Sequence, residues 1–123
     1  MIIVDKTNVG RIRAVNEDHV YTEADWNGFA LAIVADGMGG HLAGETASRL
    51  AVETVRHELR TVHGELSVEQ CKQAVRQAIF KANEKIYSLG STQEQYRGMG
   101  TTIVVVLAHD EVFIVGHIGD SRV

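Results

Sequence analysis

The chain has 123 residues, a formal net charge of −4 and one cysteine. That length suffices for one domain with a core. The mild negative balance gives no electrostatic reason to expect nucleic acid, and no apolar stretch is long enough to span a bilayer.

Lone Cys71 excludes an intramolecular disulfide and a cysteine-rich zinc site. It falls on a helical apolar pattern and reads as a buried structural thiol. The first residues, Met1-Ile-Ile-Val-Asp-Lys6, lack the basic start and cleavage site of a secretory signal, so a cytoplasmic protein is expected.

In chain order, the first chemically loaded segment is Arg11-Ile-Arg13-Ala-Val-Asn16-Glu17-Asp18. Arg13 could hold a phosphate through its planar fork while the carboxylates bind a metal or its water. A surface salt-bridge ladder is the alternative. His19–Thr22 then reads as a strand, with Asp25-Trp-Asn-Gly28 as a hairpin turn. Phe29-Ala-Leu-Ala-Ile-Val-Ala35 is short, continuously apolar and stopped by a turn signal, the pattern of a buried strand.

Asp36 ends that run and opens directly into Gly37-Met38-Gly39-Gly40-His41. A carboxylate held at a strand end suits Mg²⁺ or Mn²⁺, and the Gly37 carbonyl could add an oxygen ligand. The competing reading is an Asp that caps the turn or the helix beyond it. His41, beside the turn, could donate a proton to a leaving oxygen. The glycines match neither GxxxxGK[ST] nor GxGxxG, so a P-loop or dinucleotide fold is disfavoured.

From Gly44 the apolar period changes to three-to-four, which predicts a helix over 43–62. Ser67 and Gln70 form a capping-box pattern ahead of the stripe Val68, Cys71, Val75, Ala78, Ile79, Ala82, Ile86 and Leu89, with Gly90 as the stop. A polar loop is expected over 91–100, then a buried strand over 101–108, a tight turn at His109-Asp110 and a partner strand over 111–118. Gly119-Asp120-Ser121-Arg122 follows, a third acidic strand end or a plain turn. Strands, two helices, then strands predict an α+β fold with antiparallel sheet.

Four segments, Arg13-Ala-Val-Asn-Glu-Asp18, Val34-Ala-Asp-Gly-Met-Gly-Gly-His41, Gly98-Met-Gly-Thr-Thr102 and His117-Ile-Gly-Asp-Ser-Arg122, resemble in order and type the metal-dependent protein phosphatases of the PP2C type, in their bacterial serine/threonine form. The resemblance runs along nearly the whole chain. It implies an antiparallel β-sandwich flanked by helices, with hydrolysis of phosphoserine or phosphothreonine in proteins at one end of the sandwich. Two Mn²⁺ or Mg²⁺ ions, with a third in bacterial members, are implied as cofactors. Phosphorylated proteins and a cognate Ser/Thr kinase are implied as partners.

By the same resemblance, Asp36 is the carboxylate bridging two metals and Gly37 a carbonyl ligand. Glu17 and Asp18 order metal-bound water, Arg13 clamps the phosphate, Asp120 serves the third metal, and His41 is a candidate general acid. The family's two further aspartates have no counterpart before Val123. The chain therefore reads as the N-terminal half of such a domain, an incomplete half with two long helices, inactive alone. A non-catalytic phosphoprotein-binding module and a split domain that needs a partner half are the alternatives.

Overall fold

The computed structural model describes residues 18–110 and 112–119. Strand β1 (Asp18–Trp26) and strand β2 (Phe29–Met38) pair antiparallel through a two-residue turn. Asn27 and Gly28 occupy that turn with φ of 55° and 97°, the left-handed geometry that matches the twist of paired strands. The hairpin expected from Asp25-Trp-Asn-Gly28 is therefore present, although β1 extends past the expected His19–Thr22 in both directions.

Helix α1 (His41–Glu58) and helix α2 (Val68–Thr92) follow, then strand β3 (Gly100–His109) and strand β4 (Val112–Ile118). The sheet order is β1-β2-β3-β4, all antiparallel, with both helices inserted between the two central strands.

Alternation sorts β2 into two faces. Phe29, Leu31, Ile33 and Ala35 are buried, while Ala30, Ala32 and Val34 are half-buried. The buried row continues on β3 through Thr101, Ile103, Val105 and Leu107. Against it lie Ala43, Ala47, Ala51 and Val55 of α1 and Cys71, Val75, Ala78, Ile79, Ala82 and Ile86 of α2. Complete burial of residues such as Ile33, Leu59, Ile103 and Leu107 contributes about 1.5–3 kcal/mol each relative to exposure. Helix α2 comes so close to β4 that a Cβ at Gly116 would collide with Val75 Cγ1 and lie 2.8 Å from Ile79 Cδ1. Any larger residue there would force the Val75 and Ile79 side chains to shift.

The fold is α+β, and the described residues supply one antiparallel sheet with its helical layer. The helix boundaries differ from expectation. α1 begins two residues early, at His41, and ends at Glu58 rather than at 62. α2 starts as expected: Ser67 accepts from the Gln70 N–H (3.1 Å) while the Gln70 side chain accepts from the Ser67 N–H (2.8 Å).

Gly90 does not stop α2, which runs to Thr92. Ser91 and Thr92 bond back to the Tyr87 and Ser88 carbonyls and extend the last turn. Gly90 instead admits close neighbours, since a Cβ there would sit 3.2 Å from the Tyr96 carbonyl oxygen. The expected polar loop over 91–100 accordingly holds a helix end and a 3₁₀ turn at Glu94–Tyr96. The turn after β3 holds Asp110 at φ 53°, and Glu111 lies outside the described residues.

Candidate active site

Three of the four segments singled out in the sequence meet at one end of the sheet, together with the start of β1. In the strand register Asp18 lies opposite Asp36, and Asp36 lies opposite Thr102. Gly37 pairs with Thr101 and Met38 with Gly100. On the other side of β3, Ile103 faces Ile118, and Gly119 follows directly. Antiparallel pairing forces this convergence: β2 and β4 end where β1 and β3 begin.

Asp36 is exposed, between buried Ala35 and buried Gly37. Alternation turns it to the face away from the helices. Among the described residues its carboxylate has no hydrogen-bond or ion-pair partner. The capping alternative therefore finds no support. The residue preceding α1 is Gly40, at φ 95°, with no side-chain bond to the helix.

The turn after β2 is shaped by backbone approach. Gly39 sits at φ 111°, and a Cβ there would lie 2.7 Å from Met99 Cα and 2.9 Å from the Gly98 carbonyl oxygen. Two glycine-bearing segments far apart in sequence thus pack backbone on backbone, and Gly39 is the residue that lets them. Gly98 itself has φ 80°. Thr101, fully buried, donates its hydroxyl toward the Asp36 carbonyl oxygen (3.2 Å) and the Thr102 carbonyl oxygen (2.8 Å). His41 opens α1 as an exposed residue at the same end.

Of the expected site residues, the described part of the chain brings together Asp36, Gly37, His41 and the backbone position of Asp18. Arg13, Glu17 and Asp120 lie outside the described residues. Among the described residues no group of three or more His, Cys, Asp or Glu side chains could hold a metal ion. What is present is an all-oxygen donor set, the open Asp36 carboxylate with the adjacent Gly37 peptide, which suits a hard divalent cation.

Thr101 escaped sequence reasoning because Thr suits a strand on propensity alone, and its partner is 65 residues away. A second such link ties β1 to α1: His19 Nδ1 and the Ser48 hydroxyl of α1 are 2.7 Å apart, with Ser48 fully buried. His19 thus serves to tie the strand to the helix. Cys71 is buried too, and burial pushes its thiol pKa up, which suits an inert core position. No helix among the described residues is long and apolar enough to cross a membrane.

Comparison with known proteins bears on this geometry. The family model described as protein phosphatase 2C matches residues 11–123. The chain is 39% identical over 118 residues to the protein phosphatase PhpP of Streptococcus pneumoniae, covering 95% of this chain and 47% of that protein. It is 33% identical over 117 residues to the serine/threonine phosphatase Stp of Listeria monocytogenes, covering 95% and 46%. The chain spans about half the length of the curated relatives it matches.

Among solved structures, the serine/threonine phosphatase of S. agalactiae superposes with a TM-score of 0.76 at 34% identity, covering 88% of this chain and 44% of that one. The Mycobacterium tuberculosis phosphatase PstP/Ppp gives 0.68 at 33% identity, covering 88% and 42%. The sequence match, the superposition and the convergence of the motifs at one sheet end agree: the chain belongs to the protein phosphatase 2C family.

Proposed function

We propose that this chain is the N-terminal part of a metal-dependent phosphatase domain that hydrolyses phosphoserine and phosphothreonine in proteins. The observation that carries the reading is the Asp36 carboxylate, exposed and unpartnered among the described residues at the glycine-rich sheet end where the motif segments converge. An unpaired carboxylate beside the Gly37 peptide fits a cation site.

In this reading Asp36 and the Gly37 carbonyl hold Mn²⁺ or Mg²⁺, Asp120 serves a further ion, and Glu17 and Asp18 order water at the centre. A bound pair of such ions lowers the pKa of water and offsets charge on the phosphoryl oxygens. Arg13 orients the phosphate through its planar, bidentate fork. His41, at the mouth of the site, gives a proton to the leaving serine or threonine oxygen. Gly40 offers α1 no capping side chain, and a helix N-terminus favours an anion at the same end. Named relatives that are serine/threonine phosphatases support the substrate class. Phosphoproteins, with a cognate Ser/Thr kinase to phosphorylate them, are then the partners, and the cytoplasm is the setting.

The test is turnover. The intact phosphatase is expected to hydrolyse p-nitrophenyl phosphate and phosphothreonine peptides only with Mn²⁺ or Mg²⁺. Asp36→Asn is expected to lower kcat/KM at least about a hundredfold, a loss of some 2.7 kcal/mol in transition-state stabilisation. Retained turnover in that variant removes the bridging role. The 123-residue chain alone is expected to show no Mn²⁺-dependent turnover.

A split arrangement is the second reading, and one feature favours it. Strand β4 is an edge among the described residues, with Val112, Phe113 and Val115 exposed at 38%, 55% and 60%. Apolar side chains beside an open strand edge favour pairing with another chain. Light scattering decides: a monomer at all concentrations removes it.

A further inference from the structure

We infer that Thr101 is a positioning residue that holds the Asp36–Gly37 peptide in the geometry the site requires. The inference rests on the metal-site reading of Asp36 and Gly37. The peptide plane between these residues sets where the Asp36 side chain is rooted relative to the Gly37 carbonyl. Gly37 has no side chain and therefore little intrinsic preference in φ and ψ. Gly37 is the penultimate residue of β2, held by backbone pairing on the β3 side, and a further bond there helps keep the two donors aligned.

Thr101 supplies one. It is the register partner of Gly37, it is fully buried, and its hydroxyl reaches the Asp36 carbonyl oxygen at 3.2 Å. Its row on β3 is otherwise aliphatic: Ile103, Val105 and Leu107 are all fully buried. Valine would match Thr101 in shape and suit the row better. A hydroxyl in that setting costs stability unless it is used. The hydroxyl is shared: it reaches the neighbouring Thr102 carbonyl at 2.8 Å and, across the ladder at 3.2 Å, the Asp36 carbonyl next to the proposed ligands. The turn beyond is fixed separately, by the backbone approach of Gly39 to Met99. Thr101 touches no reacting atom in this scheme and acts only through the peptide it holds. Because site geometry must hold to a fraction of an ångström, a loosened peptide weakens cation binding without removing any ligand.

The test is NMR on the 123-residue chain, wild type against Thr101→Val and Thr101→Ser. In the metal-free Thr101→Val variant the Asp36 carbonyl carbon resonance should move upfield. The Gly37 and Met38 amides should exchange about tenfold faster, the factor for one lost hydrogen bond, while Ile33 and Val105 keep their protection. Thr101→Ser should restore both readings. Should Thr101→Val not fold, Thr101→Ala is read the same way.

An unmoved Asp36 carbonyl resonance overturns the inference. So does uniform loss of protection across Ile33, Val105 and Gly37, or a serine variant that fails to rescue. In a Mn²⁺ titration, paramagnetic broadening of the Gly37 amide should need about tenfold more Mn²⁺ in Thr101→Val than in wild type, and an identical dependence also overturns it. If Gly37 is not broadened even in wild type, this chain alone holds no cation there, and the carbonyl and exchange results still decide the role of Thr101.

Discussion

Helix α1 is finished differently at its two ends. At the C-terminal end, the β1–β2 turn reaches over and satisfies it: Trp26 Nε1 donates to the Leu59 carbonyl (2.9 Å), and Asn27 Nδ2 donates to the Arg60 (3.1 Å) and Val62 (2.9 Å) carbonyls. Arg56 stacks 4.1 Å above the Tyr21 ring, which meets Trp26 edge-on. At the N-terminal end, Gly40 leaves the helix without a side-chain cap, and the nearby Asp36 carboxylate is exposed and unpartnered among the described residues. One end spends its polar groups on itself. The other has a glycine in place of a capping side chain and an exposed carboxylate, which leaves room for a ligand.

The largest effect that would break this contrast belongs to Gly39. Gly39→Ala combines a left-handed φ with a Cβ pressed on the backbone of Met99 and Gly98, and should cost about 2–4 kcal/mol in chemical denaturation. Gly40→Ala shares the positive φ but points into open space, and should cost only about 1 kcal/mol. Equal costs would mean that the Gly39–Met99 approach does not hold the turn.

At the other end, Asn27→Gly keeps the turn geometry and deletes two hydrogen bonds to the Arg60 and Val62 carbonyls just beyond α1. A stability loss of about 1–2 kcal/mol, read from a lowered urea midpoint at unchanged m, is expected, with Mn²⁺ binding unchanged. If Mn²⁺ affinity falls as well, the two ends are coupled and the contrast weakens.

These residues also divide by how legible they were in the sequence. The self-satisfied end was readable in part, because Asn27-Gly28 is a local turn signal, just as Ser67 and Gln70 announce the start of α2. What Trp26 and Asn27 bind was not readable, since their acceptors lie over thirty residues away. The site end was readable through Asp36, whose place after an apolar run marks a strand end without any partner. Gly90 misled, because a glycine that stops a helix and a glycine that admits a neighbour look alike in sequence. Only the Tyr96 carbonyl beside it tells them apart. Thr101 was invisible for a third reason: its propensity agrees with its strand, so nothing local betrays a hydroxyl used across the sheet. Arg13, Glu17 and Asp120 stand on the sequence resemblance alone, being outside the described residues.

The smallest expected effect is the most discriminating, because its sign separates the two ends. Every substitution above removes something that supports the fold. Asp36→Asn should do the reverse in metal-free chain, because the exposed Asp36 carboxylate has no partner among the described residues in a chain of net charge −4. Removing one unpartnered negative charge should raise stability by only a few tenths of a kcal/mol. With Mn²⁺ the order should invert. A ligand that binds only the folded state adds about 2.7 kcal/mol at a hundred times its Kd, and the variant forfeits that gain. Urea melts of both proteins, with a chelator and then with excess Mn²⁺, read the inversion directly. An Asp36→Asn variant that is less stable without metal would show that Asp36 supports the turn, and the distinction between the two ends of α1 would then have to be drawn without a cation.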